Sequence, residues 1–257
     1  MIRRSTAVGL GLGLLGSPPL LTGCGGGAEA TGRRAGAPRP APTATAPGAH
    51  APEIQAEAAP RALTGLGPRT TAALPDRCRQ AVVVTGRGRN SPRCTVVVHE
   101  RTATGRQAGP AWPAHNALRG WSAHHMAGDL RSPLGVYTLS DAGGLLPDPG
   151  SGLPYHRSTG FTARGTGFQG EPLAGAFDYV VAIDHNRARG TSPLDWTRPL
   201  GPGRGGGVWL HVDHGGPTHG VVSLARPHLR EILRTLDPHR HPVAVMGYAD
   251  RLARRAA

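Results

Sequence analysis

Three histidines stand within nine positions in the run Gly207-Val208-Trp209-Leu210-His211-Val212-Asp213-His214-Gly215-Gly216-Pro217-Thr218-His219-Gly220-Val221-Val222-Ser223-Leu224. Imidazole exchanges a proton near neutral pH and also ligates metals, so the cluster suits either general acid–base chemistry or a metal centre. Strand alternation puts Trp209, His211 and Asp213 on one face and Val208, Leu210 and Val212 on the other. After the Gly-Gly-Pro turn, Val221 and Ser223 share a face while Val222 and Leu224 point into a core. His211 and His219 are thereby expected together at a strand-turn-strand mouth, where Gly215, Gly216 and Gly220 leave backbone amides free to bind a ligand. In the metal reading, His211, His214 and His219, with Asp213, suit zinc. Alternation turns His214 away from His211 unless the turn begins there.

Strands must position these groups. Ala81-Val82-Val83-Val84-Thr85 and Thr95-Val96-Val97-Val98-His99 read as a hairpin around Gly86 to Pro92. Further short strands are predicted at 135–139, 177–183, 208–212 and 242–246, each bounded by Gly, Pro or Asp. One amphipathic helix is predicted near the C-terminus: Pro227 sits near its start, and Leu229, Ile232, Leu233 and Leu236 follow the helical period before Asp237-Pro238 stops it. Residues 140–175, rich in Gly and Pro, read as long surface loops. The fold class is therefore mainly β, a sandwich or mixed sheet with one short helix. Trp112 and Trp121 read as core or loop anchors, and His124-His125, with Asp129 nearby, as a loop that could line the same cleft.

The chain has 257 residues, with 29 Lys+Arg against 16 Asp+Glu and a formal charge of +13. Every basic side chain of that count is arginine. Gly 39 and Pro 25 exclude a long helical bundle. Apolar content of 38% supports one modest core plus a tail.

Arg3 and Arg4 precede an uncharged stretch from Ser5 to Gly23 that is too short to span a membrane and has the layout of a secretory signal. It ends in Leu21-Thr22-Gly23-Cys24, which resembles a bacterial lipobox, in which the cysteine receives a lipid. Residues 1–23 are thus expected to be a signal peptide, 24–62 a lipidated cysteine and an Ala/Pro/Gly-rich tether that cannot bury a core, and 63–257 the folded domain. Secretion argues against a nucleic-acid partner. Lipid and basic surface would together hold the chain at the extracytoplasmic face of the cell membrane, where Arg251, Arg254 and Arg255 would meet anionic headgroups or wall polymers. In that oxidising compartment Cys78 and Cys94 are candidates for a disulfide, but the hairpin register sets them several residues apart along the ladder, against the roughly 7 Å limit for bonded Cα atoms.

The segment carrying His211 and Thr218-His219-Gly220 resembles the L,D-transpeptidases of the YkuD type, which cross-link bacterial peptidoglycan by cysteine acyl transfer. Their signature is a strand histidine followed by Ser/Thr-His-Gly-Cys. Val221 stands where that cysteine belongs. A second family element, a basic residue then Ser/Thr-Pro-x-Gly-x-aromatic, is matched by Arg131-Ser132-Pro133-Leu134-Gly135-Val136-Tyr137. The resemblance covers roughly Gln80 to Gly247. It implies an L,D-transpeptidase-like fold, His211 as general base, His219 as a substrate-orienting group, and Gly220 with the Val221 amide at the oxyanion position. Arg131, Ser132, Thr218 and Ser223 would contact substrate, and peptidoglycan stem peptides would be the partner. No cofactor is implied. With no nucleophilic atom at Val221, the expected protein is a membrane-tethered family member without acyl transfer; an active enzyme with another nucleophile and a histidine metal site are the alternatives.

Overall fold

Val82, Val84, Val96 and Val98 alternate along two neighbouring strands and share one core with Val181, Leu210, Val222 and Leu224 from the far side of the same sheet. The alternating burial along the second of these strands, Arg93–Thr102, is what a strand with one inward face requires. The structure is a computed structural model describing residues 65–254. Cys24, the signal segment and the tether, and Arg255 at the other end, lie outside the described residues.

Twelve strands and three helices follow in order: α1 (Pro68–Ala72), β1 (Gln80–Gly86), β2 (Arg93–Thr102), β3 (Gly105–His115), β4 (Trp121–Ser122), β5 (Ser132–Pro133), β6 (Gly135–Thr138), β7 (Ala142–Gly144), β8 (Tyr155–Arg157), β9 (Val180–Ala182), β10 (Trp209–Val212), β11 (Val222–Leu224), α2 (Arg226–Thr235), β12 (Val243–Tyr248) and α3 (Ala249–Leu252). Ten strands form one curled mixed sheet in the order β6-β12-β1-β2-β3-β11-β10-β9-β7-β8, and β4 pairs with β5 separately. The protein is mainly β.

Both faces of β1 are buried. Ala81 and Val83 turn from the main core into a second cluster with Val243, Val245, Cys78 and Leu252, against which Leu66 and Leu74 pack. β1 lies parallel to β12, and parallel strands are stable when covered on both sides. The predicted hairpin of β1 and β2 forms in the register Val84 to Val96. Cys94 lies opposite Gly86, whereas Gln80, just after Cys78, lies opposite Glu100. The two thiols are accordingly buried and free at opposite ends of the ladder.

β3 is absent from the sequence reading because Pro110 and Pro113 argue against a strand. Only His115 and Ala114 of β3 pair with β11, so most of the strand has an open edge and tolerates prolines that a central strand would not. Its Trp112 is buried, as is Trp121. Residues 140–175 also contain more than loops, because β7 and β8 add two short strands there, β8 at the edge of the sheet. Gly144 makes this possible: a Cβ at that position would lie 2.2 Å from the Asp178 carbonyl oxygen. The expected strand at 177–183 narrows to β9. Helix α2 forms where its pattern places it, burying Leu229, Ile232 and Leu233.

Candidate functional site

β10 and β11 lie side by side and parallel, with Leu210 opposite Val222 and His211 opposite Ser223. Residues 213–221 carry the chain back between them and hold most of the chemistry. Leu210, Val222 and Leu224 are anchored in the core, so the placement of the loop follows from burial at both of its ends.

His211 is 2% exposed. Its Nδ1 lies 3.0 Å from the Val212 carbonyl oxygen. A carbonyl only accepts, so Nδ1 carries the proton and Nε2 bears a lone pair. Nε2 is buried and has no hydrogen-bond partner among the described residues. Burial, reinforced by the neighbouring His214, lowers the His211 pKa to about 4, leaving the ring neutral at pH 7. Phe177 packs edge-on against it, with centroids 5.4 Å apart.

His214 stacks on His211 at 5.7 Å, because β10 ends at Val212 and the turn has begun before His214. It is held from behind by Glu171, whose Oε1 lies 3.2 Å from its Nδ1. Asp213 accepts hydrogen bonds from Ser223 Oγ at 2.6 Å and His115 Nδ1 at 2.9 Å. Burial pushes its carboxyl pKa up, but these two hydrogen bonds, the charge of His115 and the Gly215 amide together leave the group below its ordinary value. The donor atoms needed for a metal are therefore dispersed among other partners. Among the described residues, no three His, Cys, Asp or Glu side chains are placed to hold a metal ion.

Two cavities meet at Val221 and His219. The smaller, about 150 Å³, is lined by His211, His214, Thr218, Phe177, Leu173 and Ala176 besides those two residues. The larger, about 370 Å³, runs past Gly220, His125, Trp196, Arg198 and Gly205 to Val208. His219 is exposed, and Phe168 lies on it with centroids 4.4 Å apart. The amides of Gly220 and Val221 enter no backbone hydrogen bond in the described fold. Two N–H groups at such a junction can bind an oxyanion or a peptide carbonyl.

Ser132 and Thr218 turn inward. Thr218 Oγ1 donates to the Val221 carbonyl at 2.7 Å and Ser132 Oγ at 3.1 Å, so both hydroxyls fix the backbone of residue 221. Arg131 donates to Asn90 Oδ1 and to the carbonyls of Arg119 and Trp121, which holds the strand carrying Ser132 in place. Ser223 is wholly buried, with its proton directed to Asp213 rather than to a histidine. Neither hydroxyl of Thr218 or Ser223 is presented as a nucleophile. Thus His211, Thr218, His219, Gly220 and Val221 come together at the cavities, while Arg131, Ser132 and Ser223 support them from outside.

One group expected near the cleft reaches it, and one unexpected group joins it. His125 of the His124-His125 pair is buried and lines the larger cavity, its Nδ1 3.0 Å from Asp129 Oδ1 but out of line for a hydrogen bond; the Asp129 spacing was the available signal. Trp196, 83% exposed, stands at the mouth of that cavity beneath the Arg198 guanidinium, 4.9 Å from its ring centroid. Nothing near it in sequence marks it, because only tertiary structure brings 196–207 to Val221. No protein-family model matches this chain, and no curated protein matches it.

Proposed function

We propose that this chain is a lipid-anchored, extracytoplasmic protein of the L,D-transpeptidase type that binds peptidoglycan stem peptides and does not perform acyl transfer. The observation that carries the reading is the junction at Val221. A neutral, buried imidazole with an open lone pair, two unengaged amides and two adjoining cavities surround a position whose side chain has no reactive atom. That is the layout of an acyl-transfer site lacking only its nucleophile. A stem peptide has apolar side chains for the small cavity, amide N–H groups for His211 Nε2 and carbonyls for the Gly220 and Val221 amides.

The test is restoration. Val221→Cys adds a thiol of similar volume to the cavity that His211 also lines, where the neutral imidazole is the base available to accept the thiol proton during attack. Incubated with a carbapenem, Val221→Cys is expected to gain the mass of a covalent adduct, and His211→Ala in that background to abolish it. The native chain is expected to gain none, since loss of the nucleophile alone costs about a million-fold in a serine hydrolase. An adduct on the native chain formed as fast as on the variant would overturn the reading, as would a folded Val221→Cys protein that stays inert.

A further inference from the structure

Far along the sheet from Val221, three chain segments bring positive charge to one basin of about 540 Å³. Arg77 and Arg79 come from the segment before β1, Arg101 from the end of β2, and His239, Arg240 and His241 from the turn after α2, with Asp76 on the rim. None of the residues lining it belongs to the cavities at Val221. The segments are locked together by main-chain hydrogen bonds, Arg79 N to Arg240 O at 2.8 Å and Arg101 N to Arg79 O at 2.7 Å. The charges are held near one another by the fold.

Part of this charge is neutralised, since the Asp76 carboxylate lines the same basin. Arg240 Nη1 pairs with Glu100 at 3.0 Å, but the guanidinium groups of Arg77, Arg79 and Arg101 form no ion pair or side-chain hydrogen bond with any described residue. Arg101 also lines a second cavity, about 440 Å³, together with Arg106. Nε and Nη1 of Arg106 are buried without a partner, its Nη2 alone donating to the Cys78 carbonyl. Buried guanidinium donors are ordinarily satisfied, so an open pair beside three unpaired arginines points to an anion with several acceptor oxygens. The same second cavity is walled by Leu66, Pro68 and Thr71, where the described chain begins. The basin therefore sits beside the point at which the N-terminal segment enters the fold.

We propose that this basin binds the phosphate groups of an anionic lipid surface, docking the domain on the membrane from which the chain is suspended. Guanidinium forks match phosphate oxygens, and several such arginines next to the tether's entry add electrostatic attraction to whatever the anchor supplies. The choice of a lipid rests on the tethered reading above.

The test uses the full chain carrying Cys24→Ala, so that membrane binding is independent of lipidation. Co-sedimentation is measured with vesicles of phosphatidylglycerol and phosphatidylcholine, and with phosphatidylcholine alone. Binding to the anionic vesicles only is expected, and Arg77→Gln, Arg79→Gln and Arg101→Gln together should weaken it roughly a hundredfold. A control triple, Arg157→Gln, Arg164→Gln and Arg189→Gln, removes the same charge from exposed positions elsewhere and should cost no more than a few-fold. Equal losses in the two triples would mean that net charge alone drives binding and would overturn the proposal, as would no loss in either. A chain that ignores anionic vesicles yet binds soluble polyphosphate through the same three arginines would overturn the lipid as partner. Failure of Cys24 lipidation in cells would leave all these outcomes unchanged.

Discussion

The hydroxyl of Thr218 donates to the carbonyl oxygen of Val221 at 2.7 Å, closing the turn that presents residue 221 to both cavities. Ser132 reaches the same oxygen from a different strand pair. Thr218→Val removes one donor and leaves the other, so urea denaturation is expected to show a loss of about 1 kcal/mol. Adding Ser132→Ala leaves the carbonyl unsatisfied and should cost about 2 to 3 kcal/mol in total, more than the two single changes summed. Strict additivity would mean that the two hydroxyls do not share that oxygen.

His211 makes stability depend on pH. Its folded pKa is about 4 against an ordinary value near 6.5, so the unfolded chain takes up a proton first as the pH falls. The stability from neutral His211 is complete above pH 6.5 and is lost on descent toward pH 4, by about 2 to 3 kcal/mol at pH 4.5. His99 and His185, also depressed by burial, decline in the same direction. The expected result is therefore a difference: His211→Asn should flatten the denaturation free energy between pH 7.5 and 4.5 without abolishing its slope. An unchanged slope in a folded variant would show that His211 does not carry that proton linkage.

Trp196 is nearly free of the fold yet edges the larger cavity. Trp196→Ala should shift the melting temperature by little, since exposed substitutions fall within about 0.5 kcal/mol. Binding to purified peptidoglycan in a pull-down should fall by about tenfold, as expected for removing an aromatic contact worth somewhat over 1 kcal/mol. Retained binding would place the ligand in the small cavity alone.

Arg187 is a stabilising centre away from the candidate site. Its guanidinium is 3% exposed and is shared between Asp141, at 3.0 Å, and Asp184, while Ser140 and Thr138 donate to Asp184. Arg187→Met would leave two buried carboxylates without their cation. A loss of about 3 to 5 kcal/mol is expected in chemical denaturation, and Asp141→Asn in the same background should recover part of it.

Alternating valines in β1 and β2, the leucine period of α2 and the glycine-rich turn before His219 each determine local structure through burial or backbone freedom within a few residues, and all were legible in the sequence. So was the grouping of His211, His219, Gly220 and Val221, because they lie on one short strand and the loop that follows it. β3 was not legible, since the edge position that tolerates Pro110 and Pro113 is a property of the sheet and not of the segment. The same limit concealed the parallel pairing of β10 with β11, the inward turn of Ser132 and Thr218, and the arrival of Trp196 at the cavities. Each depends on which distant segment supplies a hydrogen-bond partner or a wall. Periodicity encodes which face a residue takes; only tertiary packing decides what that face meets.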